Sequence, residues 1–289
     1  GLMEYYTRTI ESCDPNELFT TEILTIYKEQ VEQMPDITKQ VFTLKTEGRS
    51  YKEIADILHI SIKKVDKELQ KATAKLRESL NQTIAAKIFE GKTYPWEVLP
   101  LIKDFILELG ETLDPAEYEK RGENIWIAKD ASIAPTASIN GPCIIGKGAE
   151  IRQCAFIRGN AIVGEGAVVG NSTELKNVIL FNKVQVPHYN YVGDSVLGYK
   201  AHMGAGSITS NVKSDKKLVV VKSADEQIET GLKKFGAMLG DEVEIGCNSV
   251  LNPGTVVGRN SNIYPLSCVR GVIPSGHIFK NAKEIIKKI

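Results

Sequence analysis

The sequence lacks an excess of charge of either sign, because its 36 Lys and Arg balance its 36 Asp and Glu over 289 residues. This excludes a protein that binds polyanions through its bulk charge. The sequence also has no run approaching the roughly 18 apolar residues that a membrane-spanning helix needs. Its first residues, Gly-Leu-Met-Glu-Tyr-Tyr, have neither the basic nor the apolar segment of a secretory signal. We therefore expect a cytoplasmic protein with no membrane partner.

Cysteine is scarce, with five residues that are scattered and form no Cys-x-x-Cys pair. An odd number of scattered cysteines indicates a reduced protein without disulfides and argues against a structural metal site. The composition, 42% hydrophobic and 25% charged, is that of an ordinary globular chain and excludes a disordered or collagen-like one.

The chain changes character along its length. Residues 1–80 are rich in Glu, Lys, Leu and Ile at helical spacing, and residues 122–289 are rich in Gly, Val, Ile and Asn. Residues 81–121 form a helical connector or cap between these domains, interrupted by Tyr94-Pro95-Trp96 and Pro100. The connector either caps the β domain or packs on the first domain, and capping of the first coil is favoured.

The second domain contains a repeat with a period of six residues. Aliphatic side chains recur without a miss at Ile127, Ile133, Ile139, Ile145, Ile151, Ile157, Val163, Val169 and Leu175, and again at Leu239, Ile245, Leu251, Val257, Ile263 and Val269. Neither a helix nor an ordinary strand has this period. It predicts a triangular prism in which each face is a short strand and each corner a turn, with coils about 4.8 Å apart.

This pattern resembles the hexapeptide-repeat transferases, and the resemblance implies a left-handed parallel β-helix. The strict hexads pause between Leu175 and Leu239. Because pauses in a solenoid usually mark functional loops, we expect the site there.

The interrupted stretch carries two motifs, Val-Pro-His-Tyr-Asn-Tyr-Val-Gly-Asp at 186–194 and Met-Gly-Ala-Gly-Ser-Ile-Thr-Ser-Asn at 203–211. With them, residues 125–275 resemble the C-terminal acetyltransferase domain of the bifunctional N-acetylglucosamine-1-phosphate uridyltransferase/glucosamine-1-phosphate acetyltransferases. Residues 230–241 look more like archaeal-type sugar-1-phosphate nucleotidylyltransferases. The resemblance implies acetyl-CoA as co-substrate. The Leu-Ala-Ala-Gly-x-Gly-Thr-Arg loop of a uridyltransferase domain is missing, so we expect no nucleotidyl transfer.

Acyl transfer to an amine needs a general base, for which a histidine near neutral pKa is suited. His188 is the predicted base, Asn211 the residue that orients the amine or acetyl group, and the N–H groups of 204–206 candidate oxyanion donors. The remaining roles are implied by the resemblance: Arg158 and Lys176 would hold the sugar phosphate, Tyr191 and His202 would lie in the sugar pocket, and Ala205 and Cys247 would lie near the thioester. The alternatives are a solvated turn for His188, a plain corner turn for 204–206, solvated corner charges for Arg158 and Lys176, and plain packing for Cys247.

Two departures from the family pattern concern the acceptor. His202 replaces an Asn, and Val212 replaces a Tyr, which would change the acceptor while leaving acyl transfer intact. The segment 213–234 is also longer than in that family. It would wrap a neighbouring subunit, reach the CoA phosphates, or form a solvated hairpin.

The first domain shows a helix-turn-helix pattern around His59-Ile60-Ser61, with Ser50 and Ser61 as N-caps. It resembles region 4 of extracytoplasmic-function sigma factors. The second helix would present its lysines to the major groove of DNA, and RNA polymerase is the other partner that the resemblance implies. The lysines are Lys63, Lys64, Lys67 and Lys71. The net charge of 49–80 is only +3, region 2 is absent, and an artificial fusion is the alternative origin of the domain.

Three functions follow. The first is an acetyl-CoA-dependent N-acyltransferase of an amino-sugar 1-phosphate or related nucleotide-sugar precursor, acting as a homotrimer in which a cyclic neighbour completes each half-site. The second is a sigma-like, transcription-associated DNA-binding protein that a non-catalytic β-helix trimerises. The third is a degenerate β-helix without catalysis.

Overall fold

A computed structural model describes residues 31–81, 85–223, 226–281 and 284–287. Residues 1–30 of the predicted first domain and 82–84 of the predicted connector lie outside these ranges. The chain divides into two compact units, with the boundary between Ala86 and Lys87. Among the described residues there is no helix with the length and apolar character needed to cross a membrane.

The first unit contains three helices. They are α1 (Asp36–Thr46), α2 (Tyr51–Leu58) and α3 (Ile62–Asn81). One face of each helix contributes to a small core of Val41, Ile54, Ala55, Val65 and Leu69. Burial of these apolar side chains stabilises helices that would be marginal alone.

The helix-turn-helix prediction is confirmed. Ser50 accepts a hydrogen bond from the N–H of Glu53, whose carboxylate accepts one from the N–H of Ser50. This reciprocal capping box fixes the start of α2. At the turn, His59 ends α2 in the left-handed region at φ 51°, and the hydroxyl of Ser61 caps α3 by accepting from the N–H of Lys64.

The second unit begins with a short helical segment and continues as strands. Its helical elements are two 3-10 turns (Ala86–Phe89 at the unit boundary, and Pro95–Val98) and α4 (Ile102–Gly110). The strands are β1 (Tyr118–Lys120), β2 (Ile125–Ala128), β3 (Ser132–Ile133), β4 (Ser138–Ile139), β5 (Cys143–Ile145), β6 (Glu150–Ile151), β7 (Phe156–Ile157), β8 (Ala161–Val163), β9 (Val168–Asn171), β10 (Glu174–Leu180), β11 (Gln185–His188), β12 (Tyr191–Leu197), β13 (His202–Met203), β14 (Ile208–Thr209), β15 (Val220–Lys222), β16 (Gln227–Glu229), β17 (Ala237–Leu239), β18 (Glu244–Ile245), β19 (Val250–Leu251), β20 (Thr255–Val257), β21 (Asn262–Ile263), β22 (Cys268–Val269), β23 (Val272–Ile273), β24 (His277–Asn281) and β25 (Glu284–Lys287).

These strands form the three faces of a parallel β-helix. The first face contains β2, β5, β8, the second halves of β10 and β12, then β17, β20 and β23. The second face contains β3, β6, β9, β11, β13, β18, β21 and β24. The third contains β4, β7, the first halves of β10 and β12, then β14, β19 and β22. The fold prediction, a hexapeptide β-helix with a helical N-terminal domain, is confirmed.

The pause in the hexads is shorter than in the sequence-based interpretation, which placed it between Leu175 and Leu239. Coils continue through inward residues at 180, 186, 192, 197, 203 and 209, each of which is fully buried. Leu175 pairs with Val192 and Leu180 with Leu197, so the register between coils is kept. The strict spacing of six is lost because the corner between the third and first faces is one residue shorter in these two coils. The seven-residue strands β10 and β12 pass around that corner without a break. The true interruption is the segment 211–235.

The corner between the second and third faces has left-handed backbone in successive coils. Ser172, Tyr189, Gly206, Asn248 and Leu266 all have φ between 51° and 72°. A Cβ at Gly206 would lie 2.2 Å from Oδ1 of Asn248, so a larger residue there would have to displace the Asn248 side chain. We name this the His188 corner, after the residue that precedes it in β11.

The connector lies along the first face and not over the first coil, so the capping preference was wrong. Helix α4 contacts β5, β8 and β10, and the turn Pro95–Val98 contacts β12. Since side chains alternate along a strand, the residues before the inward hexad positions point outward on this face. These are Ile144, Ile162, Ile179 and Val196, and all are buried. An apolar outer row needs a cover, and the connector provides it.

The segment 213–234 forms a hairpin that packs against its own β-helix. Strands β15 and β16 pair antiparallel, and Val219, Val221 and Phe235 are buried. Phe235 lies with its ring centroid 5.6 Å from that of Trp96 in the connector. A solvated hairpin is therefore an incomplete description, because the hairpin has its own apolar contacts.

Candidate functional site

The residues predicted for catalysis lie at the two ends of the third face. His188 ends β11, immediately before the corner that leads into this face, and its side chain is exposed. Its N–H donates to Oδ1 of Asn190 at 3.1 Å and its carbonyl accepts from the N–H of Gly206 at 3.0 Å. Within the described chain the imidazole itself makes no hydrogen bond. The backbone is thus fixed while the ring remains available to a ligand.

Asn190 is the buried support of the His188 corner. The residue is 2% exposed. Its side-chain amide donates to the carbonyl oxygens of Gly204 and Ser207 at 2.9 and 3.1 Å. Its oxygen accepts from the N–H of His188. One side chain therefore joins the coil that carries His188 to the next coil, which carries the predicted oxyanion donors.

The predicted oxyanion donors at 204–206 are reduced to one. The N–H of Gly204 donates to the carbonyl of Ile245 at 2.7 Å, and the N–H of Gly206 donates to that of His188. These bonds join neighbouring coils and are part of the solenoid. Among the N–H groups of this corner, that of Ala205 has no partner in the described part of the chain.

Ala205 and Cys247 lie at the His188 corner in consecutive coils. The carbonyl of Ala205 accepts from the N–H of Asn248 at 2.9 Å. A side chain at Gly204 would lie 2.7 Å from the backbone nitrogen of Cys247, so the two coils are in close contact there. Cys247 is an exposed free thiol. The structure thus brings His188, Ala205 and Cys247 to one edge of the prism.

The other end of the third face is organised by the carboxylate of Asp194. This corner, which we name the Asp194 corner, joins the third face to the first. Asp194 is 4% exposed and has φ 48°, in the left-handed region. Lys176 donates to both carboxylate oxygens at 3.0 Å, Asn177 donates to one at 3.1 Å, and Asn211 donates to the other at 2.5 Å. A buried carboxylate with three donors is a preorganised polar network.

Tyr191 connects this network to the start of the third face. Its hydroxyl oxygen accepts from the side-chain amide of Asn211 at 3.2 Å. A side chain at Gly193 would lie 2.5 Å from that oxygen, so glycine is required for the ring to lie along the face. Burial, followed by the nearby charge of Asp194, raises the pKa of the Tyr191 phenol. The phenol is therefore neutral and keeps its proton for donation.

Arg158 lies beside Lys176 on the preceding coil. The backbone N–H of Arg158 donates to the carbonyl of Leu175, one residue before Lys176, at 2.8 Å. Its guanidinium forms a salt bridge of 2.7 Å with Glu174, which raises the pKa of Arg158. Two cations of the predicted sugar-phosphate site thus lie on adjacent coils, each already paired with one carboxylate.

His202 lies apart from both groups. It begins β13 on the second face, opposite Gln185, at the end of that face remote from His188. Its Nδ1 is 2.7 Å from the carboxylate of Glu244, and both side chains line a polar cavity of about 570 Å³ with Lys183 and Lys200. Within one chain, the structure does not place His202 near Tyr191, with which it was predicted to form the sugar pocket.

Sequence reasoning missed Asp194 and Asn190, although both belong to the quoted motif at 186–194. Their signal was a polar residue next to or within an apolar strand pattern, and at Asp194 also the left-handed backbone that favours Asn and Asp. Their partners lie on other coils, so the hydrogen bonds follow only from the stacking.

The helix-turn-helix unit presents a separate candidate nucleic-acid interface. Lys63, Lys64 and Lys67 on α3 are exposed and form no salt bridge with a described acidic residue. Lys71 differs, because its ammonium lies 2.8 Å from the buried carboxylate of Glu68. Thr38 also donates to Glu68 at 2.6 Å, and the pKa of Glu68 is lowered by Lys71 and then by Thr38.

Two sequence families match separate parts of the chain. Residues 139–258 match the family of the GMPPB C-terminal domain, and residues 24–76 match sigma-70, region 4. Both resemblances inferred from the sequence are confirmed. Neither match reaches half of the chain.

Among curated proteins, the bifunctional protein GlmU of Methanococcus aeolicus is 36% identical over 120 residues, covering 42% of this chain and 29% of the relative. The bifunctional sugar-1-phosphate nucleotidylyltransferase/acetyltransferase of Sulfurisphaera tokodaii is 35% identical over 112 residues, covering 39% and 28%. This chain thus spans under a third of these relatives. A hexapeptide transferase family protein from Anaplasma phagocytophilum has a TM-score of 0.38 and 19% identity, over 56% of this chain and 78% of that one.

Proposed function

We propose that the β-helix unit transfers an acetyl group from acetyl-CoA to the amine of an amino-sugar 1-phosphate or a related nucleotide-sugar precursor. The observation that carries the proposal is the arrangement of the third face. At one end stands an exposed imidazole on a fixed backbone, and at the other a lysine, an asparagine and a tyrosine are ordered around the buried Asp194. These are a base and a polar substrate cradle.

The proposed reaction begins at His188. Its unprotonated ring nitrogen takes the proton that the substrate amine loses as the nitrogen attacks the thioester carbon. The carbonyl oxygen gains negative charge in the tetrahedral intermediate, and the N–H of Ala205 is the donor available to it. The C–N bond is then complete, the C–S bond breaks, and the thiolate of CoA leaves and receives the proton from His188.

The sugar phosphate is assigned to Lys176 and Arg158. Ammonium and guanidinium groups on adjacent coils suit a phosphate monoester, which accepts charge-assisted hydrogen bonds from both. Each cation now faces a carboxylate, so a bound phosphate would share Lys176 with Asp194 and Arg158 with Glu174. Asp194 then acts as a positioning residue that holds Lys176 and Asn211 in place.

A homotrimer belongs to the proposal. The two corners are separated by the residues Tyr191 to Asp194, and this length of extended chain spans roughly 10 Å. A cyclic arrangement of three prisms would place the His188 corner of one copy against a neighbour and close each half-site.

The experiment measures thiol release from acetyl-CoA with a panel of amino-sugar 1-phosphates. We expect turnover with at least one acceptor and a loss of about 100-fold or more in His188→Ala. His277→Ala is the control, since His277 also lies on the β-helix, in β24, and should leave turnover unchanged. Equal turnover in His188→Ala and wild type would contradict the assignment of the base.

A second candidate function is DNA binding by the first unit, supported by the exposed Lys63, Lys64 and Lys67 on a capped helix-turn-helix. We expect weak, salt-dependent duplex binding that falls when Lys63 and Lys64 are both changed to Ala, with a shallower salt dependence. Lys39→Ala, on α1, is the control. Binding that the double variant leaves unchanged would argue for another role of this unit.

A further inference from the structure

A second cationic site lies beside the hairpin, outside the network of Asp194. There a cavity of about 620 Å³ is lined by residues of the segment 210–227 and by residues of the two coils that follow it. Among the described residues that line it, four side chains are cationic and one, Asp215, is acidic. The cations are Lys213, Lys217, Lys222 and Arg270. The chain as a whole is neutral, so this concentration is local.

The one acidic group of the cavity is already engaged. The carboxylate of Asp215 accepts from the backbone N–H of Lys217 at 3.0 Å and lies 3.2 Å from Nζ of Lys213. These contacts, the backbone hydrogen bond first, lower the pKa of Asp215. Asp215 is therefore paired with Lys213, and the nearby charge of Lys217 also lowers its pKa. Lys217, Lys222 and Arg270 form no salt bridge with an acidic residue in the described ranges, which leaves three uncompensated charges.

The cavity has a rigid wall with polar groups at the coil spacing. The N–H of Ser210 donates to the carbonyl of Leu251 at 2.8 Å, and the N–H of Asn252 donates to that of Val269 at 3.0 Å. Ser210, Asn252 and Arg270 therefore follow one another on consecutive coils, about 4.8 Å apart. The hairpin brings the backbone of Lys222 against Gly271, the neighbour of Arg270, and Lys217 also lines the cavity.

We propose that this cavity binds the phosphate groups of a nucleotide-bearing ligand. Three uncompensated cations exceed the charge of about −1.5 to −2 that a single phosphate carries, so two phosphate groups are needed to balance them. A guanidinium with ammonium groups is the donor set that phosphates favour. Two sources share this chemistry, a phosphorylated coenzyme such as coenzyme A and a nucleoside diphosphate. The proposal concerns binding alone, so it stands or falls independently of turnover at His188.

The test is calorimetric titration of the full chain with pyrophosphate. We expect saturable binding that weakens with added salt. In the double variant Lys222→Ala/Arg270→Ala, the affinity for pyrophosphate should fall by at least about tenfold. Lys233→Ala is the matched control, because Lys233 is exposed on the same insertion and does not line the cavity. Equal melting temperatures of wild type and variants would exclude unfolding as the cause.

Displacement then distinguishes the two sources. Release of pyrophosphate by coenzyme A but not by UDP would identify the coenzyme, the reverse would identify a nucleoside diphosphate, and release by both would show a general diphosphate site. Each of these supports the proposal. Absence of pyrophosphate binding, binding that the double variant leaves unchanged, or failure of both compounds to displace pyrophosphate would overturn it.

Discussion

The two ends of the third face use the same backbone device for opposite purposes. Tyr189 at the His188 corner and Asp194 at its own corner both have left-handed backbone, at φ 51° and 48°. Yet Tyr189 is 64% exposed, whereas Asp194 is 4% exposed and has three side-chain donors. A solenoid corner can therefore either expose a side chain to solvent or bury it within a hydrogen-bond network.

This difference separates the reacting group from the positioning groups. The imidazole of His188 is free to meet a ligand, and only its backbone is held. The amide of Asn211 and the ammonium of Lys176 are held before any ligand arrives, which reduces the ordering cost of binding. Changes at the Asp194 corner should therefore affect stability and substrate affinity together, and changes to the His188 ring should affect turnover alone.

The largest effect on stability is expected for Asp194→Asn. This change keeps the size of the side chain and its tolerance of left-handed backbone, but removes the charge that holds Lys176. We expect the free energy of unfolding to fall by about 2 kcal/mol, less than for a fully buried pair because the Lys176 side chain is 24% exposed. KM for the sugar phosphate should rise. Urea denaturation and steady-state kinetics measure both, with exposed Asp130→Asn as the control.

If Asp194→Asn left both stability and KM as in the wild type, the network would be unimportant and the comparison between the corners would fail.

Asn190→Ala tests the hidden support of the His188 corner. The change removes the amide donor of the buried carbonyls of Gly204 and Ser207, although that of Gly204 still accepts from the hydroxyl of Ser207. It should lower the free energy of unfolding by about 1–2 kcal/mol. Because Asn190 also accepts from the N–H of His188, we expect kcat to fall with KM for the sugar phosphate unchanged. Asn262→Ala, on the second face, is the control. A change in KM alone would assign Asn190 to substrate binding.

Alkaline pH gives a smaller effect at the Asp194 corner. The pKa of Tyr191 is raised above its ordinary value of 10.0, so the unfolded chain loses this proton before the folded chain does. The contribution of the neutral Tyr191 phenol to stability is therefore fully present below pH 10 and declines as the pH rises further. Tyr191→Phe should make that decline shallower, as followed by thermal melts between pH 9 and pH 11. Tyr189→Phe, at the exposed corner, should not, and an identical decline in wild type and Tyr191→Phe would contradict the account.

The smallest effect is expected for Cys247→Ala. Its thiol is exposed, and the described contacts of Cys247 are made by its backbone. We expect a change in the free energy of unfolding within about 0.5 kcal/mol and turnover within about twofold of the wild type. A large loss of turnover would show that the sulfur itself contacts the substrate.

The period of six residues was sufficient to predict the β-helix, but strict counting lost two coils. The residues from Leu180 to Thr209 keep the hexad pattern after a shift of one position at each corner that β10 and β12 round. A spacing rule cannot detect this shift, because it arises from the continuity of a long strand. The connector had a visible signal, the apolar doublets Ile144-Ile145 and Ile162-Val163, which require burial on both sides of the first face.

The motifs identified most residues of the candidate site without indicating their grouping. His188, Ala205 and Cys247 meet at one corner, and Lys176, Tyr191 and Asn211 at the other, because strands of different coils stack in register. His202 was assigned by resemblance alone, and its distance from both corners follows from its position at the start of the second face. Hydrogen bonds such as those of Asn190 join residues 14 to 17 positions apart in the sequence and have no local signature.

The most direct test compares His188→Ala with Asp194→Asn in one thiol-release assay on the best acceptor. We predict that His188→Ala loses about 100-fold or more in kcat at an unchanged melting temperature, whereas Asp194→Asn melts earlier and raises KM. The same pattern of kinetic and thermal change in both variants, or full turnover in His188→Ala, would contradict the division of the third face into a reacting end and a positioning end.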